Sequence, residues 1–575
     1  MQEEPTVAGR VVLRRRQKVL ALISKNPEAF TCPVLDLTRF YSLTALPESL
    51  GRLTALTTLN LSYCHALTRL PASLGQLTAL RTLHINECRA LTGLPGSLGQ
   101  LAALTTLDVC SCGAVTSLPA SLGQLAALTT LNLFLCFALT ELPESLGQLT
   151  ALMTLELGGC RALARLPESL GQLSALTTLS LLECTITELP DSLVQLRALE
   201  KLDMCLTNGL IKLPDLFGQL ATLVLLDIQG CNALTGLPES FGQLAALQTL
   251  KLSDCSQLTE LPESLGQLAV LQTLNLSWCH GLTRLPGSLG QLRTLTTLNL
   301  SNCRRLTELP CCELTTLVVL NMIGCEMLTC VSLEHLAALT TLNLGGCCVL
   351  TSLPDSLGQL KALTWLNLTA CRALTGLPES LGELAVLERL FLSRCNMLTG
   401  LPESLGQLAA LKSLDLVECD VLSQLPESLG RMAALRALDL CWCGALTGLP
   451  ESVGQLAVLA RLDLSWCAAL TRLPESLCQL TALKSLRLRA CRALTELPFS
   501  LGFLPQIPTT DFYLLSNLII PPPAVVDEGF SAIRAFLVAH NYPLKILFLI
   551  LTARRRRMRC LPAELWVLLR DEFFK

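Results

Sequence analysis

An α/β solenoid of about twenty stacked coils is the fold this sequence predicts. Three observations predict it. A Leu-Pro step recurs every 24 residues, at Pro47, Pro71, Pro95, Pro119, Pro143 and Pro167. It continues through Pro190, Pro214, Pro238, Pro262, Pro286 and Pro310, then from Pro354 to Pro498. Around each step stands one spacing, Leu56-x-x-Leu59-x-Leu61-x-x-Cys64-x-x-Leu67-Thr-x-Leu70-Pro71-x-x-Leu74-x-x-Leu77. A cysteine fills one offset of it 18 times, from Cys64 to Cys491. Such a repeat adds length without adding a new core, so 575 residues need not mean several domains.

The L-x-x-L-x-L-x-x-N/C spacing with a period in the twenties is that of a leucine-rich repeat. It predicts a horseshoe, with a parallel β-sheet on the concave face and short helical or 3-10 turns on the convex face. Leu59-x-Leu61 is a short strand whose leucines turn inward. Cys64 turns the chain, and Leu67 and Leu70 fill the interior. Pro71 opens the outer segment, where Ser73-Leu74-Gly75 reads as the helical or 3-10 turn. Gly75 is expected to permit a tight return. One coil cannot bury its own leucines, so only stacking stabilises it.

Two places break the rhythm. The step from Pro167 to Pro190 is 23 residues, and Pro310 to Pro354 covers two shortened coils in 44. These are either tolerated decay or a change of curvature dividing the arc. The solenoid is expected over residues 32–504. Residues 1–31 would form a basic capping helix, with Val12, Val19, Leu20 and Ile23 on its apolar side. Residues 505–575 would form a C-terminal cap and helical tail. From residue 499 onward the chain holds 11 of its 24 aromatics, so this end has a core of a different kind.

Composition narrows the function. Hydrophobic residues are 51% and charged residues 15%, yet the longest apolar run, near residues 546–551, is short of the roughly 20 a membrane helix needs. The start of the chain does not resemble a secretory signal. A net charge of -3 gives no field to recruit nucleic acid. The cysteine ladder reads as a buried row of small apolar residues with a weak donor. A metal would need several ligands converging on one point, which one thiol per coil does not supply. No cofactor is expected, and free thiols on this scale point to a reducing compartment, the cytoplasm. A serine in place of Cys279 would bury a hydroxyl with uncertain partners. His65, His84, His280, His335 and His540 stand in no metal spacing. No phosphate loop or nucleophile elbow appears, so no enzyme is expected.

The concave face is where a partner should bind. Its central row is mostly Asn or Asp, as at Asn60, Asn367, Asp415, Asp439 and Asp463. All four tryptophans inside the repeats, Trp278, Trp365, Trp442 and Trp466, fall at positions read as concave and solvent-facing. Trp442 and Trp466 are equivalents in consecutive coils and should lie about 5 Å apart. The acid row Asp415, Asp439 and Asp463 runs beside them, with Arg389, Phe391, Arg394 and Arg487 within one or two coils. Exposed aromatics with arginine and oriented charge make binding hot spots. The expected partner of this monomer is another protein, one with a basic or amide-rich segment.

The coil sequence resembles two families. Residues 276–292 fit LSxCxxLTxLPxSLGQL, which looks like the repeat of plant intracellular disease-resistance receptors. The LPxxLGxLxxLxxLxL pattern also resembles the Ras-group repeat proteins, scaffolds of small-GTPase and phosphatase signalling. Residues 517–537 resemble that group's closing pattern, NPLxxPPxxVxxxGxxAIxxYL. The first resemblance implies an immune-type sensor, but the chain lacks the nucleotide-binding loop of those receptors. The second implies an intracellular scaffold, although its coils have 23 residues and asparagine at the cysteine position. Residues 561–574 faintly resemble the opening helix of F-box-like motifs, which implies a substrate receptor of a ubiquitin ligase. The arginine run at Arg554, Arg555, Arg556, Arg557 and Arg559 reads as a solvated charge run or a nuclear or phosphate-binding patch.

Overall fold

The computed structural model describes residues 16–310, 313–504, 509–511 and 521–539. It divides into two compact units, Met1–Thr297 and Leu298–Lys575. Each unit is a stack of the same coil. In the first, three-residue strands run from Val34–Asp36 through Thr58–Asn60 to Thr273–Asn275, each parallel to the next. Leu35 faces Leu59, and Leu250 faces Leu274, so equivalent residues stack one coil apart. In the second unit the series runs from Val319–Asn321 to Thr509–Asp511 with the same pairing. Leu59 and Leu61 are wholly buried, while Thr58 and Asn60 beside them are half-buried. This is the alternation that the period-two pattern requires.

Each outer segment is a 3-10 turn such as Ala72–Gln76. Pro71 precedes it at φ -69°, the angle its ring imposes, and the Leu77 N–H closes the turn on Leu74 O. A contact unread in the sequence ties the turns of neighbouring coils. The Ser73 N–H donates to Glu48 Oε2 of the preceding coil at 3.0 Å, and Ser404 repeats this with Glu379 at 3.1 Å. The Ser73 N–H thereby holds the Glu48 carboxyl below its usual range.

Gly75 does not act as a flexible return. Among the described residues the glycines with positive φ are Gly159, Gly230, Gly324, Gly346 and Gly529. A Cβ at Gly75 would instead lie 2.5 Å from Ser97 O of the next coil. Glycine suits this place because the turns approach closely, although Val194 and Cys478 hold the same offset in two coils.

The ladder cysteines are free and buried. Seventeen of these thiols donate to a carbonyl of the preceding coil, as Cys279 Sγ does to Leu252 O at 3.1 Å and Cys371 Sγ to Leu344 O at 3.2 Å. Burial pushes the Cys279 and Cys371 thiols up to about 12, so at neutral pH they are protonated and unreactive. Thr207 occupies the ladder position in one coil, wholly buried, and its hydroxyl donates to Leu181 O at 3.0 Å. The threonine hydroxyl therefore has a partner at this place in the ladder. Threonine and valine at 279 have nearly the same shape and differ in the donor. Cys279→Thr is expected to be more stable than Cys279→Val by about 0.5–1.5 kcal/mol in a denaturant melt. Equal melts would show that the bond contributes nothing.

The interval from Pro310 to Pro354 departs from the pattern. Among the described residues no 3-10 turn occurs between Gly287–Gln291 and Asp355–Gln359. Glu308–Leu309 instead pairs in parallel with Cys330–Val331, forming a small second sheet. The shortened outer segments leave too little chain for the turn, and the extended pair lies just before its place, at the offset of Arg69–Leu70.

At the start of the first unit, helix Arg16–Lys25 buries Ile23 and packs against the turn Glu48–Arg52. In the second unit, helix Phe530–Ala539 packs on the turn Phe499–Phe503. It buries Phe530, Ile533 and Leu537, and Arg534 Nε donates to Gly502 O at 3.2 Å. Residues 1–15 of the expected capping helix lie outside the described residues. So do the arginine run and the F-box-like segment.

Candidate partner-binding surface

The residues singled out in the sequence sit on the sheet face of the second unit and on the turn at its strand ends. Two local rules position them. The Asn or Asp closing each strand accepts the N–H two residues on, an Asx turn. Asp415 Oδ1 takes Val417 N–H at 3.1 Å, Asp439 Oδ1 takes Cys441 N–H at 3.1 Å, and Asp463 Oδ1 takes Ser465 N–H at 2.9 Å. Asn367 Oδ1 does the same for Thr369 at 2.9 Å. The Asn/Asp row is thus turn chemistry first.

The second rule concerns the residue before the ladder cysteine, which adopts a left-handed conformation. Arg394 has φ 63°, and Trp278, Trp442 and Trp466 each have φ 64°. Glycine fills the same place at Gly159, Gly230, Gly324 and Gly346. Three of the four tryptophans therefore lie on this turn rather than on the strand itself. Trp365 alone is a strand residue, the first of Trp365–Asn367. Sequence spacing placed all four on one face because offset alone does not reveal where the strand ends.

Trp442 and Trp466 stack face to face, with centroids 4.4 Å apart and planes 2° from parallel. Trp442 keeps 47% of its surface exposed. On the neighbouring strands Trp365 leans on Phe391 at 5.6 Å, with Arg389 exposed beside them. Asp415, Asp439 and Asp463 stand in register on adjacent strands, continuing into Arg487. Arg487 Nη1 reaches Asp463 Oδ2 at 3.3 Å. Arg394 is already engaged, with Nε 3.0 Å from Glu418 Oε2. Trp278 belongs to the first unit, edge-on to His280 at 5.8 Å, and is not part of this cluster.

Burial raises the Asp439 carboxyl above its ordinary value, and Asp463 and Asp415 on either side add to the rise. An acid whose folded pKa exceeds its unfolded value binds more protons when folded. Its charge therefore lowers stability as pH rises from the unfolded pKa through the folded one. Asparagine keeps the turn acceptor, as Asn367 shows, and removes the charge. Asp439→Asn is expected to stabilise the fold by about 0.2–1 kcal/mol at pH 7, the size of a like-charge cross-strand pair. The gain should vanish near pH 3, and a melt series from pH 3 to 7 reads it.

Among the described residues no group of three or more His, Cys, Asp or Glu is placed to hold a metal ion. No helix among them is long and apolar enough to cross a membrane. A stack of coils with an extended sheet face suits protein–protein interaction.

Comparison with the curated proteins finds no match. Among solved structures, the chain is similar to a leucine-rich repeat protein of Leptospira interrogans, at 25% identity over 82% of this chain and 92% of that one, with a TM-score of 0.40. It is also similar to the plant peptide hormone receptor RGFR1, solved in complex with RGF2, at 21% identity over 85% and 91% with a TM-score of 0.49. A third is the Arabidopsis receptor kinase HAESA, solved with the peptide hormone IDA and the co-receptor SERK1, at 22% identity over 87% and 89% with a TM-score of 0.43. The family model of a leucine-rich repeat region matches residues 34–134, 222–344 and 308–447, more than half of the sequence, and the chain belongs to that family.

Proposed function

We propose that this chain is a non-catalytic recognition protein, a cytoplasmic scaffold in intracellular signalling that acts as a monomer. It binds a protein partner through a basic segment laid on the sheet face and strand-end turn of residues 389–489. One observation carries this reading. Two indoles stack on each other at the left-handed positions of adjacent coils, Trp442 exposed and Trp466 half-buried. A non-glycine residue there costs roughly 1–2 kcal/mol, a cost that most coils bear, so the paired rings rather than the strain support the reading. The acid row supports the reading in the same way. An Asx turn needs only an oxygen acceptor, which asparagine supplies, yet three consecutive coils carry a charge instead.

The experiment is affinity purification of the full chain from native cells, followed by binding isotherms with the recovered protein. Asp415→Asn, Asp439→Asn and Asp463→Asn combined should weaken binding and flatten its salt dependence, since exposed charges are screened over about 10 Å at 0.1 M salt. An unchanged salt slope would move the site elsewhere.

A further inference from the structure

We propose that the opposite margin of the same face, where Arg436, Arg461 and Lys484 stand at the strand starts, binds carboxylates of the partner segment. The partner then carries acidic residues alongside its basic ones. The proposal rests on the reading of this face as a binding surface and adds the other half of the charge pattern a partner must match.

Departure from the repeat is the first argument. The Arg436 N–H donates to Lys412 O at 2.9 Å, Ala460 N–H to Arg436 O at 2.8 Å and Lys484 N–H to Ala460 O at 2.8 Å. These residues therefore share one offset, just before each strand. In other coils of this unit the offset holds threonine with a structural task. Thr340 Oγ1 donates to Val318 O at 3.2 Å, and Thr364 Oγ1 to Thr340 O at 3.1 Å. Arg436 and Lys484 give up that tie between coils. Arg461 opens its strand at the place where threonine opens Thr341–Asn343.

The second is that the fold does not neutralise them. All three are exposed, and among the described residues none of them has an ion pair. Lys412, at the same offset, is paired with Glu388.

The third is the layout of charge. In a parallel sheet every strand presents its start to one margin and its end to the other. Arg461 and Asp463 begin and end one strand on the same face, roughly 7 Å apart. The cations thus form one row and Asp415, Asp439 and Asp463 the other, both running across the strands. A purely basic segment is repelled at the strand starts. A nucleic acid, with a phosphate at every step, is repelled at the acid row. An extended peptide turns alternate side chains to its two sides, so one in which acids and bases alternate lays carboxylates on the cations and bases on the aspartates.

The test uses the full chain and two synthetic peptides of equal length, one alternating glutamate and lysine, the other all lysine, read by fluorescence polarisation in low salt. The alternating peptide should bind wild type at least about tenfold more tightly than the variant R436T, R461T and K484T. Threonine is the repeat's own residue at these offsets, so that variant should melt no lower than wild type. R436Q, R461Q and K484Q, which keep long side chains, should give the same loss. The lysine peptide should bind the threonine variant at least as tightly as wild type. No binding of the alternating peptide to wild type, or equal affinity for wild type and variants, overturns the proposal. So does a single-stranded oligonucleotide that binds wild type more tightly than the alternating peptide, which would make the margin a phosphate site. In each case, lysine-peptide binding that is lost with D415N, D439N and D463N leaves the partner reading standing. Lysine-peptide binding unchanged by those three asparagines overturns the partner reading instead.

Discussion

Gly382→Ala is expected to destabilise the second unit by about 1–3 kcal/mol, the cost of forcing a methyl into a closely packed site. The sign opposes the usual one. At a position with negative φ, alanine in place of glycine normally stabilises by about 0.4–1 kcal/mol, because it restricts the unfolded chain. Gly382 sits in the 3-10 turn Glu379–Glu383, outside the left-handed region. An added Cβ would lie 2.5 Å from Ser404 O and 2.7 Å from Ser404 Cβ. The obstacle is the next coil's backbone, held by its own 3-10 turn and by Glu379 on the Ser404 N–H. Relief therefore requires the neighbouring turn to shift, as it must in the coils that carry Val194 and Cys478 at this offset. Gly400 is the control, because a Cβ there meets nothing within 4 Å. Gly400→Ala should leave the denaturant midpoint unchanged or slightly raised. If both variants melt together, the close approach of the turns does not set the spacing of the coils.

The repeat was legible because one stacked unit must bury the same faces each time. Leu59, Leu61, Leu67 and Leu74 are wholly buried at the offsets their spacing predicts. The proline before each 3-10 turn was legible for the same reason, since its fixed φ leaves few alternatives. Contacts between coils were not. Glu48 reaches the Ser73 N–H across 25 residues, and no local pattern encodes that distance. Gly75 was misread because glycine has two uses, backbone freedom and absence of a side chain, and sequence does not separate them. The Asx turns had a signal in the sequence, an Asn or Asp three residues before the left-handed position. In the sequence it reads as the central row of the concave binding face, because the left-handed residue is seldom the glycine or asparagine that usually marks such a turn. Trp278, Trp442 and Trp466 occupy that position, which moves them from the strand to the turn beyond it.

Trp442→Ala combined with Trp466→Ala is expected to weaken partner binding by at least about 2 kcal/mol, or roughly thirtyfold, the range of a lost hot spot. Folding should change far less. Neither ring belongs to the buried leucine set, and the backbone bonds of both residues, Trp442 N–H to Ser465 O and Trp466 N–H to Arg489 O, survive any substitution but proline. The stack itself is worth about 0.5–1.5 kcal/mol. Alanine loses that and keeps the left-handed strain, so its melt should fall slightly. Glycine also loses the stack but relieves roughly 1–2 kcal/mol at each of two positions, less the backbone entropy that glycine gives up. Trp442→Gly with Trp466→Gly should therefore melt no lower than wild type while binding as poorly as the alanine pair. This separation of stability from affinity is what distinguishes a recognition role from packing. Rings that served the fold would make both variants melt lower in proportion to the affinity lost. Rings that served a partner leave the glycine pair stable and unable to bind.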